Sequence, residues 1–350
     1  MKRTITIIGS GMMGSALAFP AFENGNEVRL VGTPLDREII EECKRSGKHP
    51  KFDRPFPEGV EYFQFEEWQE AVKGADFVIG GVSSFGVDWF LNEVLTYLDP
   101  AMPVLSVTKG LINLEDGTLI SYPAYWETEL LKKGISREVN AIGGPCTSYE
   151  LVFHDQTEVA FCGKSTAVIK MMKEAMQTSY YHISTTNDVI GLESAVALKN
   201  AYALGIALTI GLVNRQHGAE AGLHYNSQAG AFYQATKEMT KLLRLQGADE
   251  DSAVLGIGDL YVTVYGGRTR KIGILLGEGK TYEEALNILA GVTLESLVVA
   301  RRVAKAIYRK AELGMVDLAE FPLMTHVNDV IDHGKDAELP WDAFTFDNTK

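Results

Sequence analysis

The sequence predicts an α/β fold class: an N-terminal domain with a doubly wound, mostly parallel sheet, followed by an all-helical C-terminal domain. Three observations support this prediction. The chain of 350 residues is longer than a domain with a single hydrophobic core usually is. Strand-like and helical runs alternate up to about Ser184, and only helical patterns follow Asn187. We therefore place the boundary in the polar stretch 185–188 and predict domains at 1–187 and 188–350.

Short runs rich in β-branched or aromatic residues are predicted to be strands, with amphipathic segments between most of them. This alternation is typical of βαβ units and a parallel sheet, in which ligands bind at the carboxyl ends of the strands. The predicted strands are Thr4–Ile8, Glu27–Val31, Val60–Phe63, Phe77–Ile79, Val104–Val107, Val139–Ile142, Val159–Phe161 and Tyr180–Ile183.

The helical part contains the longest apolar stretch of the sequence, Ala195–Val213. Its length approaches the roughly 20 residues that span a bilayer. Because it includes Lys199, Asn200 and two glycines, we predict a buried helix and no membrane span. A charged, proline-containing segment follows Asp332, ends at Lys350 and is expected to form an arm or tail.

The composition is that of a globular protein, with 46% apolar and 23% charged residues. A net charge of -13 without any lysine- and arginine-rich run disfavours nucleic acid and anionic membranes as partners. The cysteines Cys43, Cys146 and Cys162 lack the spacing of metal ligands, and the N-terminus runs into a strand without a signal sequence. We therefore expect a cytoplasmic protein without a metal site.

A glycine-rich turn follows the first predicted strand and opens the first predicted helix. Gly9 permits the tight turn, Gly11 lets backbone N–H groups approach a pyrophosphate, and Gly14 allows close packing of helix on strand. The helix N-terminus favours the anion. In this context the motif predicts a Rossmann-type dinucleotide site and not a plain tight turn. It consists of Gly9, Ser10, Gly11, Met12, Met13 and Gly14.

The end of the second predicted strand leaves the choice between NAD and NADP open. An acidic side chain there usually holds the ribose 2′-hydroxyl of NAD, and a nearby cation accommodates the 2′-phosphate of NADP. Val31 is followed by Gly32 and Thr33, so no acidic residue stands at the strand tip, and Arg37 comes late.

Lys199 is a single cation within an otherwise apolar helical pattern. Burial lowers the pKa of a lysine towards neutrality, which suits proton transfer to or from a substrate hydroxyl. The alternative is a structural ion pair with Glu193 or Asp259. The segment by itself leaves both interpretations open.

Two further segments are candidates for ligand binding. Lys109 lies just past the end of a predicted strand, where an α/β sheet presents groups to its ligand, although a solvated loop lysine is the alternative. The run 256–271 combines glycines, cations and the hydroxyls of Thr263 and Thr269. This combination suits a phosphate dianion, and a flexible basic surface turn is the alternative.

Four motifs, in this order, make the chain resemble the soluble NAD(P)-dependent glycerol-3-phosphate dehydrogenases over nearly its whole length. They are the glycine turn at 9–14, Thr-Lys-Gly at 108–110, Ala-Leu-Lys-Asn at 197–200, and the run 256–268 with Gly-x-Gly-Asp-Leu and Gly-Gly-Arg. Gly144, Pro145 and Glu150 match a further motif in part.

The resemblance implies hydride exchange between the nicotinamide and C2 of dihydroxyacetone phosphate or glycerol 3-phosphate. It implies Lys199 as the general acid/base, Lys109 as the group that orients the substrate oxygen, and Asp259 as the residue that holds the lysine network. The implied substrate-binding residues are Lys109, Gly144, Lys199, Asn200, Asp259, Thr263, Gly267, Arg268 and Thr269. The implied cofactor-binding residues beyond the glycine turn are Lys109, Ser148, Arg268 and Glu295.

The sequence departs from the family pattern at three positions, where Thr269 replaces the usual Asn, Ser148 the usual Ala, and Ser296 the usual Gly. We expect a dihydroxyacetone phosphate reductase that supplies the backbone of phospholipids and forms a homodimer. A relative that acts on another short polyol phosphate is the first alternative. A catalytically silent dinucleotide-binding sensor is the second, and Lys109, Lys199 and Asp259 argue against it.

Overall fold

The computed structural model describes residues 2–218, 222, 224–292 and 294–344. The chain divides into two compact units. The first unit comprises Met1–Lys109 and Tyr122–Glu193, and the second comprises Gly110–Ser121 and Ser194–Lys350. The last residues of the expected C-terminal tail, 345–350, lie outside the described residues.

The strands, numbered in chain order, include all eight predicted runs and add a hairpin, β6–β7. The ends of most runs shift by one to three residues. The bounds are β1 Thr4–Ile8, β2 Glu27–Val31, β3 Glu61–Phe63, β4 Phe77–Gly80, β5 Val104–Ser106, β6 Leu111–Asn113, β7 Leu119–Ser121, β8 Val139–Gly143, β9 Thr157–Cys162 and β10 Tyr181–Thr186.

The first unit is built on an eight-stranded sheet with the order β10-β9-β8-β5-β4-β1-β2-β3. Neighbouring strands are parallel except β8 and β9, which confirms the prediction of a mostly parallel sheet. Strands β1 and β4 are buried almost throughout, because helices cover both faces of such a sheet. The strand order reverses at β1, which pairs with β2 and β4, so the ends of β1 and β4 form the expected ligand edge.

The helices of the first unit connect these strands. Helix α1 begins at Met12, within the glycine turn, and has an interior proline, Pro20, that is buried with most of the helix. Helix α2 ends at Gly47, whose left-handed φ of 67° terminates it. The helices are α1 Met12–Glu23, α2 Arg37–Ser46, α3 Trp68–Ala71, α4 Val87–Phe90, α5 Tyr122–Lys132, α6 Ser148–Val152 and α7 Thr166–Met176.

The second unit contains long helices, as predicted for the C-terminal part of the chain. Helix α8 begins at Val189, close to the predicted boundary, but the structural division falls after Glu193. The helices are α8 Val189–His217, α9 Tyr225–Leu245, α10 Ala253–Tyr265, α11 Gly267–Gly277, α12 Tyr282–Ile288, α13 Glu295–Glu312 and α14 Pro322–His333.

The hairpin β6–β7 belongs to the second unit, although it precedes residue 188 in the sequence. Arg302 Nη1 on α13 donates a hydrogen bond to the Leu111 carbonyl oxygen over 2.7 Å, and Arg309 Nε donates to the Glu115 carbonyl oxygen over 3.2 Å. The turn includes Gly117, whose φ is 81°. Contacts with a helix nearly 200 residues away therefore hold this short hairpin.

Among the described residues one helix, α8, is long and apolar enough to cross a membrane, and 83% of its most apolar window is buried within the protein. Its side chains form much of the core of the second unit, together with residues of α9, α13 and α14. Helix α8 is a buried core helix, as predicted for Ala195–Val213.

Candidate active site

The glycine turn after β1 is folded tightly against the end of β4. Gly9 has a left-handed φ of 113°, and a Cβ atom there would lie 2.7 Å from the carbonyl carbon and oxygen of Gly81. A Cβ atom on Gly14 would lie 2.1 Å from the Gly9 carbonyl oxygen. The backbone itself therefore requires glycine at both positions, as the motif predicts.

Gly11 differs from the other two glycines of the motif. Its φ is -64° with ψ 177°, which any residue adopts, and the nearest atom to a Cβ there would be the Gly81 carbonyl oxygen at 4.0 Å. The protein alone does not require glycine at this position. Gly11 is the N-cap of α1 and makes no side-chain hydrogen bond to the first turn, so the N–H groups there are available to an anion.

The rest of the motif fits a dinucleotide as well. Ser10 is fully buried, and its Oγ has no hydrogen-bond partner among the described residues. Met12 and Met13 are half-buried and pack against the core of the first unit. The turn thus combines a glycine with open space around it, an uncapped helix N-terminus and a buried hydroxyl that lacks a hydrogen-bond partner among the described residues. A bound pyrophosphate would provide the hydrogen-bond acceptors for these groups.

Asp36 corrects the expectation that no acidic group stands at the tip of the second strand. It follows the tip in sequence, but the chain turns back after Thr33, and the Asp36 carboxylate reaches the strand end. Asp36 Oδ2 accepts hydrogen bonds from Thr33 N over 2.9 Å, from Thr33 Oγ1 over 2.8 Å and from Ser10 N over 3.3 Å. A carboxylate therefore lies between the β2 end and the glycine turn.

Lys109 and Gly144 are brought together at the ends of β5 and β8. Lys109 Nζ donates a hydrogen bond to the Gly144 carbonyl oxygen over 3.2 Å. Gly144 has a φ of 121°, and a Cβ there would lie 3.1 Å from Val159 Cα, so the carbonyl orientation depends on glycine. Ser148 is the first residue of α6, and the Thr147 hydroxyl before it caps that helix through Glu150 N.

Lys199 on α8 forms an ion pair with Asp259 on α10. The side chain of Lys199 is 12% exposed and that of Asp259 is 1% exposed. Asp259 is one of the two carboxylates that the sequence offers as partners of Lys199. A buried ion pair is weak evidence for stability, since desolvation offsets much of the attraction.

Small residues let the two helices of this ion pair approach closely. A Cβ atom on Gly256 would lie 2.7 Å from Ala195 Cβ and 2.8 Å from the Ala195 carbonyl oxygen. Gly256 and Ala195 lie about one helical turn before Asp259 and Lys199, respectively. This backbone contact therefore sets the distance across which the lysine and the carboxylate meet.

The N-terminus of α11 provides backbone donors close to the end of α10. Gly267 opens the helix with a φ of 85°, and its N-cap, Gly266, makes no side-chain capping bond. Arg268 is 53% exposed, and its Nη2 lies 3.7 Å from Glu295 Oε2. Thr269 is only 7% exposed. An arginine beside an uncapped helix N-terminus is an arrangement that binds phosphate.

Two other predicted phosphate ligands lie on the same helices as the ion pair. The Thr263 hydroxyl donates a hydrogen bond to the Asp259 carbonyl oxygen over 2.8 Å, so it has to rotate before it can donate to a substrate. Asn200 follows Lys199 on α8 and is half-buried.

Glu193 is a buried carboxyl for which the sequence interpretation found no separate role. It is 1% exposed, and its Oε2 has no hydrogen-bond partner among the described residues. Burial raises the pKa of Glu193 to about 8, and the charge of Lys109 opposes this rise. The carboxyl is therefore mostly protonated at neutral pH.

We expect Glu193→Gln to stabilise the protein at alkaline pH. Because the pKa of this carboxyl is higher in the folded state than its ordinary value of 4.5, wild-type stability is greatest below that value and falls as the pH rises to about 8. Glutamine does not ionise, so the variant lacks this decline. Urea unfolding at about pH 5 and about pH 8 should show its advantage growing by about 2 to 4 kcal/mol.

The solvent-exposed Glu58→Gln is the matched control for this prediction, and its stability should follow that of the wild type at both pH values. An advantage of Glu193→Gln that does not grow with pH would contradict the assignment of a buried, protonated carboxyl.

The predicted site residues thus form local groups within each unit. The groups are the glycine turn, Lys109 with Gly144, Lys199 with Asp259 and Thr263, and Arg268 with Glu295.

Sequence reasoning missed Asp36, Gly81 and Glu193. The pair Gly80-Gly81 after a buried strand was a usable signal for Gly81, and an acidic residue after a short turn was one for Asp36.

Family comparison covers both parts of the chain. The family model for the NAD-dependent glycerol-3-phosphate dehydrogenase N-terminus matches residues 4–168, and the model for the C-terminus of the same enzymes matches residues 188–341. The chain belongs to the NAD(P)-dependent glycerol-3-phosphate dehydrogenase family. It is accordingly an oxidoreductase that acts on a CH–OH group with NAD or NADP.

Individual glycerol-3-phosphate dehydrogenases are similar over most of their length. The NADP(+)-dependent glycerol-3-phosphate dehydrogenase of Archaeoglobus fulgidus is 35% identical over 287 residues, which cover 81% of this chain and 83% of the relative. The glycerol-3-phosphate dehydrogenase [NAD(P)+] of Acidobacterium capsulatum is 27% identical over 334 residues, 93% of each chain.

Solved structures of glycerol-3-phosphate dehydrogenases share the fold. The Coxiella burnetii structure aligns with a TM-score of 0.77 at 22% identity and covers 98% of both chains. The Plasmodium falciparum structure aligns with a TM-score of 0.81 at 20% identity and covers 100% of this chain and 96% of the other.

Proposed function

We propose that this chain interconverts dihydroxyacetone phosphate and sn-glycerol 3-phosphate, with Lys199 as the general acid/base. The sequence offered an ion pair with Asp259 as a structural alternative, but 12% of the Lys199 side chain stays exposed while its counter-ion is 1% exposed. The proposal rests on this combination, because Asp259 holds the amine while a substrate can still reach it. The uncapped N-terminus of α11 and Arg268 belong to the same unit, so an acid/base group and a phosphate site occur together in it.

Lys199 donates and accepts the proton that the reaction transfers. In the direction of reduction its ammonium donates a proton to the C2 oxygen as that oxygen becomes a hydroxyl, and in the direction of oxidation the amine takes the proton back. Asp259 holds the amine in place through the ion pair, and its own position depends on the close contact of Gly256 with Ala195. Lys109 orients the substrate oxygen.

The phosphate of the substrate is assigned to the start of α11. Backbone N–H groups of Gly267, Arg268 and Thr269 and the guanidinium of Arg268 supply the donors. Because the Thr269 side chain is buried, we assign its contribution to the backbone N–H. Asn200 and Thr263 complete the assigned phosphate ligands.

The dinucleotide is assigned to the glycine turn, with Ser148, Glu295 and Arg268 as further cofactor contacts. When bound, its nicotinamide donates or accepts the hydride at C2. Gly11, the Ser10 hydroxyl and the first turn of α1 would hold the pyrophosphate. NAD and NADP are both compatible with this assignment.

A related dehydrogenase for another short polyol phosphate is the second candidate. Ser148, which has a hydroxyl where the family usually has Ala, favours it. Purified protein should be assayed by nicotinamide absorbance against a panel of phosphorylated ketones. The proposal expects dihydroxyacetone phosphate to give the highest kcat/KM, and failure to reduce it would reject the proposal.

We further propose that the protein works in the cytoplasm as a homodimer. The buried free cysteines Cys43 and Cys162 support a reducing compartment. A groove of about 480 Å³ along α9 and α10, with exposed Tyr261 and Tyr265, supports an apolar contact surface. Light scattering should give twice the mass of the chain, and a monomer at micromolar concentration would reject the dimer.

A further inference from the structure

The Asp36 carboxylate is fixed by donors from two separate segments of the first unit. Thr33 N and Thr33 Oγ1, at the end of β2, lie 2.9 and 2.8 Å from Asp36 Oδ2, and Ser10 N, in the glycine turn, lies 3.3 Å from it. Asp36 is also the N-cap residue of α2, and its own N–H donates to the Thr33 carbonyl oxygen over 2.9 Å. These contacts leave the carboxylate little freedom to move away.

The Asp36 carboxylate lies at the place in the fold where the adenosine ribose of a dinucleotide binds. In sheets of this type the pyrophosphate binds at the turn after β1, and the adenosine ribose lies towards the end of β2. Asp36 is hydrogen-bonded to both of these segments. A 2′-hydroxyl can donate to a carboxylate there, whereas a 2′-phosphate would bring a dianion against it.

Arg37 and His49 offer little compensation for that repulsion. Arg37, the next residue, pairs with Glu66 on an exposed part of the surface. The His49 ring lies under the glycine turn, with Nε2 3.2 Å from the Ser10 carbonyl oxygen, and burial lowers the pKa of His49. Lys51 lies in the same loop as His49.

We propose that Asp36 sets the cofactor discrimination of this chain by lowering its affinity for NADPH relative to NADH. The proposal rests on the dinucleotide site of the proposed function and goes beyond it, because that function is compatible with either cofactor. The names of the relatives include both NADP(+) and NAD(P)+, so the discriminating group has to be sought in this chain's own residues.

The test compares two variants that each remove one negative charge from the start of α2. Asp36→Asn keeps an oxygen that can accept from Thr33 N and Ser10 N, so the turn should fold. Asp36→Ser is a second charge-removing variant that guards against a local effect of the amide. Glu38→Gln is the matched control, because Glu38 is exposed in the first turn of the same helix.

Affinities for NADH and NADPH are measured by isothermal titration calorimetry, and folding is checked by thermal unfolding. The ratio of the NADH Kd to the NADPH Kd should rise at least about tenfold in both Asp36 variants, because a like charge at contact distance from a phosphate is removed. The same ratio should stay within about twofold of wild type in Glu38→Gln, because the exposed Glu38 carboxylate is screened by solvent and salt.

Each outcome has a definite meaning. An unchanged ratio in Asp36 variants that fold and bind would overturn the discrimination proposal and leave the proposed function intact. An equal change in Glu38→Gln would also overturn it, because the effect would then belong to the general field of the surface. A wild-type protein that binds neither cofactor would reject the proposed function itself.

Discussion

Replacing Lys199 by alanine should lower turnover by about two orders of magnitude or more while dinucleotide affinity stays within about twofold of wild type. The reason is that the amine provides the proton for the C2 oxygen and does not hold the cofactor in this account. Turnover is followed by nicotinamide absorbance and cofactor affinity by calorimetry.

The matched control for this prediction is Lys305→Ala, which removes an exposed lysine of α13 in the same unit and should leave turnover unchanged. Asp259→Asn should also lower turnover, by less than Lys199→Ala does, because the amine is then no longer held by a negative charge. Since removal of one partner from a buried ion pair costs about 3 to 5 kcal/mol of stability, its folding has to be checked separately. Normal turnover in Lys199→Ala would reject the acid/base assignment.

Substitutions at two glycines of the turn should have different effects on folding and on cofactor binding. Gly11→Ala should fold normally, because the new Cβ would be 4.0 Å from the nearest protein atom of its surroundings and the backbone conformation suits alanine. Dinucleotide affinity should nevertheless fall by about 5- to 150-fold, since a methyl group forced into a packed contact costs about 1 to 3 kcal/mol.

Gly14→Ala is the contrasting variant. Its Cβ would lie 2.1 Å from the Gly9 carbonyl oxygen, so the turn has to open and the free energy of unfolding should fall even without cofactor. Urea unfolding of the apoprotein distinguishes the two. Full cofactor affinity in Gly11→Ala would contradict the assignment of the pyrophosphate to this turn.

The sheet was predictable because its central strands are buried on both faces and appear in the sequence as short apolar runs. All eight runs occur as strands, and α8 is a core helix as expected. The hairpin β6–β7 was missed because each strand has only three residues, of which one, Ile112 or Ile120, is β-branched, so neither stands out as a run rich in β-branched or aromatic residues. Arg302 and Arg309, which hold it, are far away in sequence.

Residues of the candidate site could be predicted where a side chain is unusual among its sequence neighbours. They could not be predicted where the position of the side chain depends on how the chain folds back. Lys199 stands out because a cation in an apolar helix needs a reason, but its pairing with Asp259 depends on the approach of two helices at Gly256. Asp36 was missed because its carboxylate reaches the strand end only through a turn at Thr33.

Direct hydride transfer to C2 of the substrate is the claim on which the account depends. Purified protein should be given dihydroxyacetone phosphate with dinucleotide deuterated at the transferable position of the nicotinamide, and the product examined by mass spectrometry. We predict glycerol 3-phosphate with one deuterium on C2. Product with solvent hydrogen at C2, or no product although the dinucleotide binds, would contradict the account.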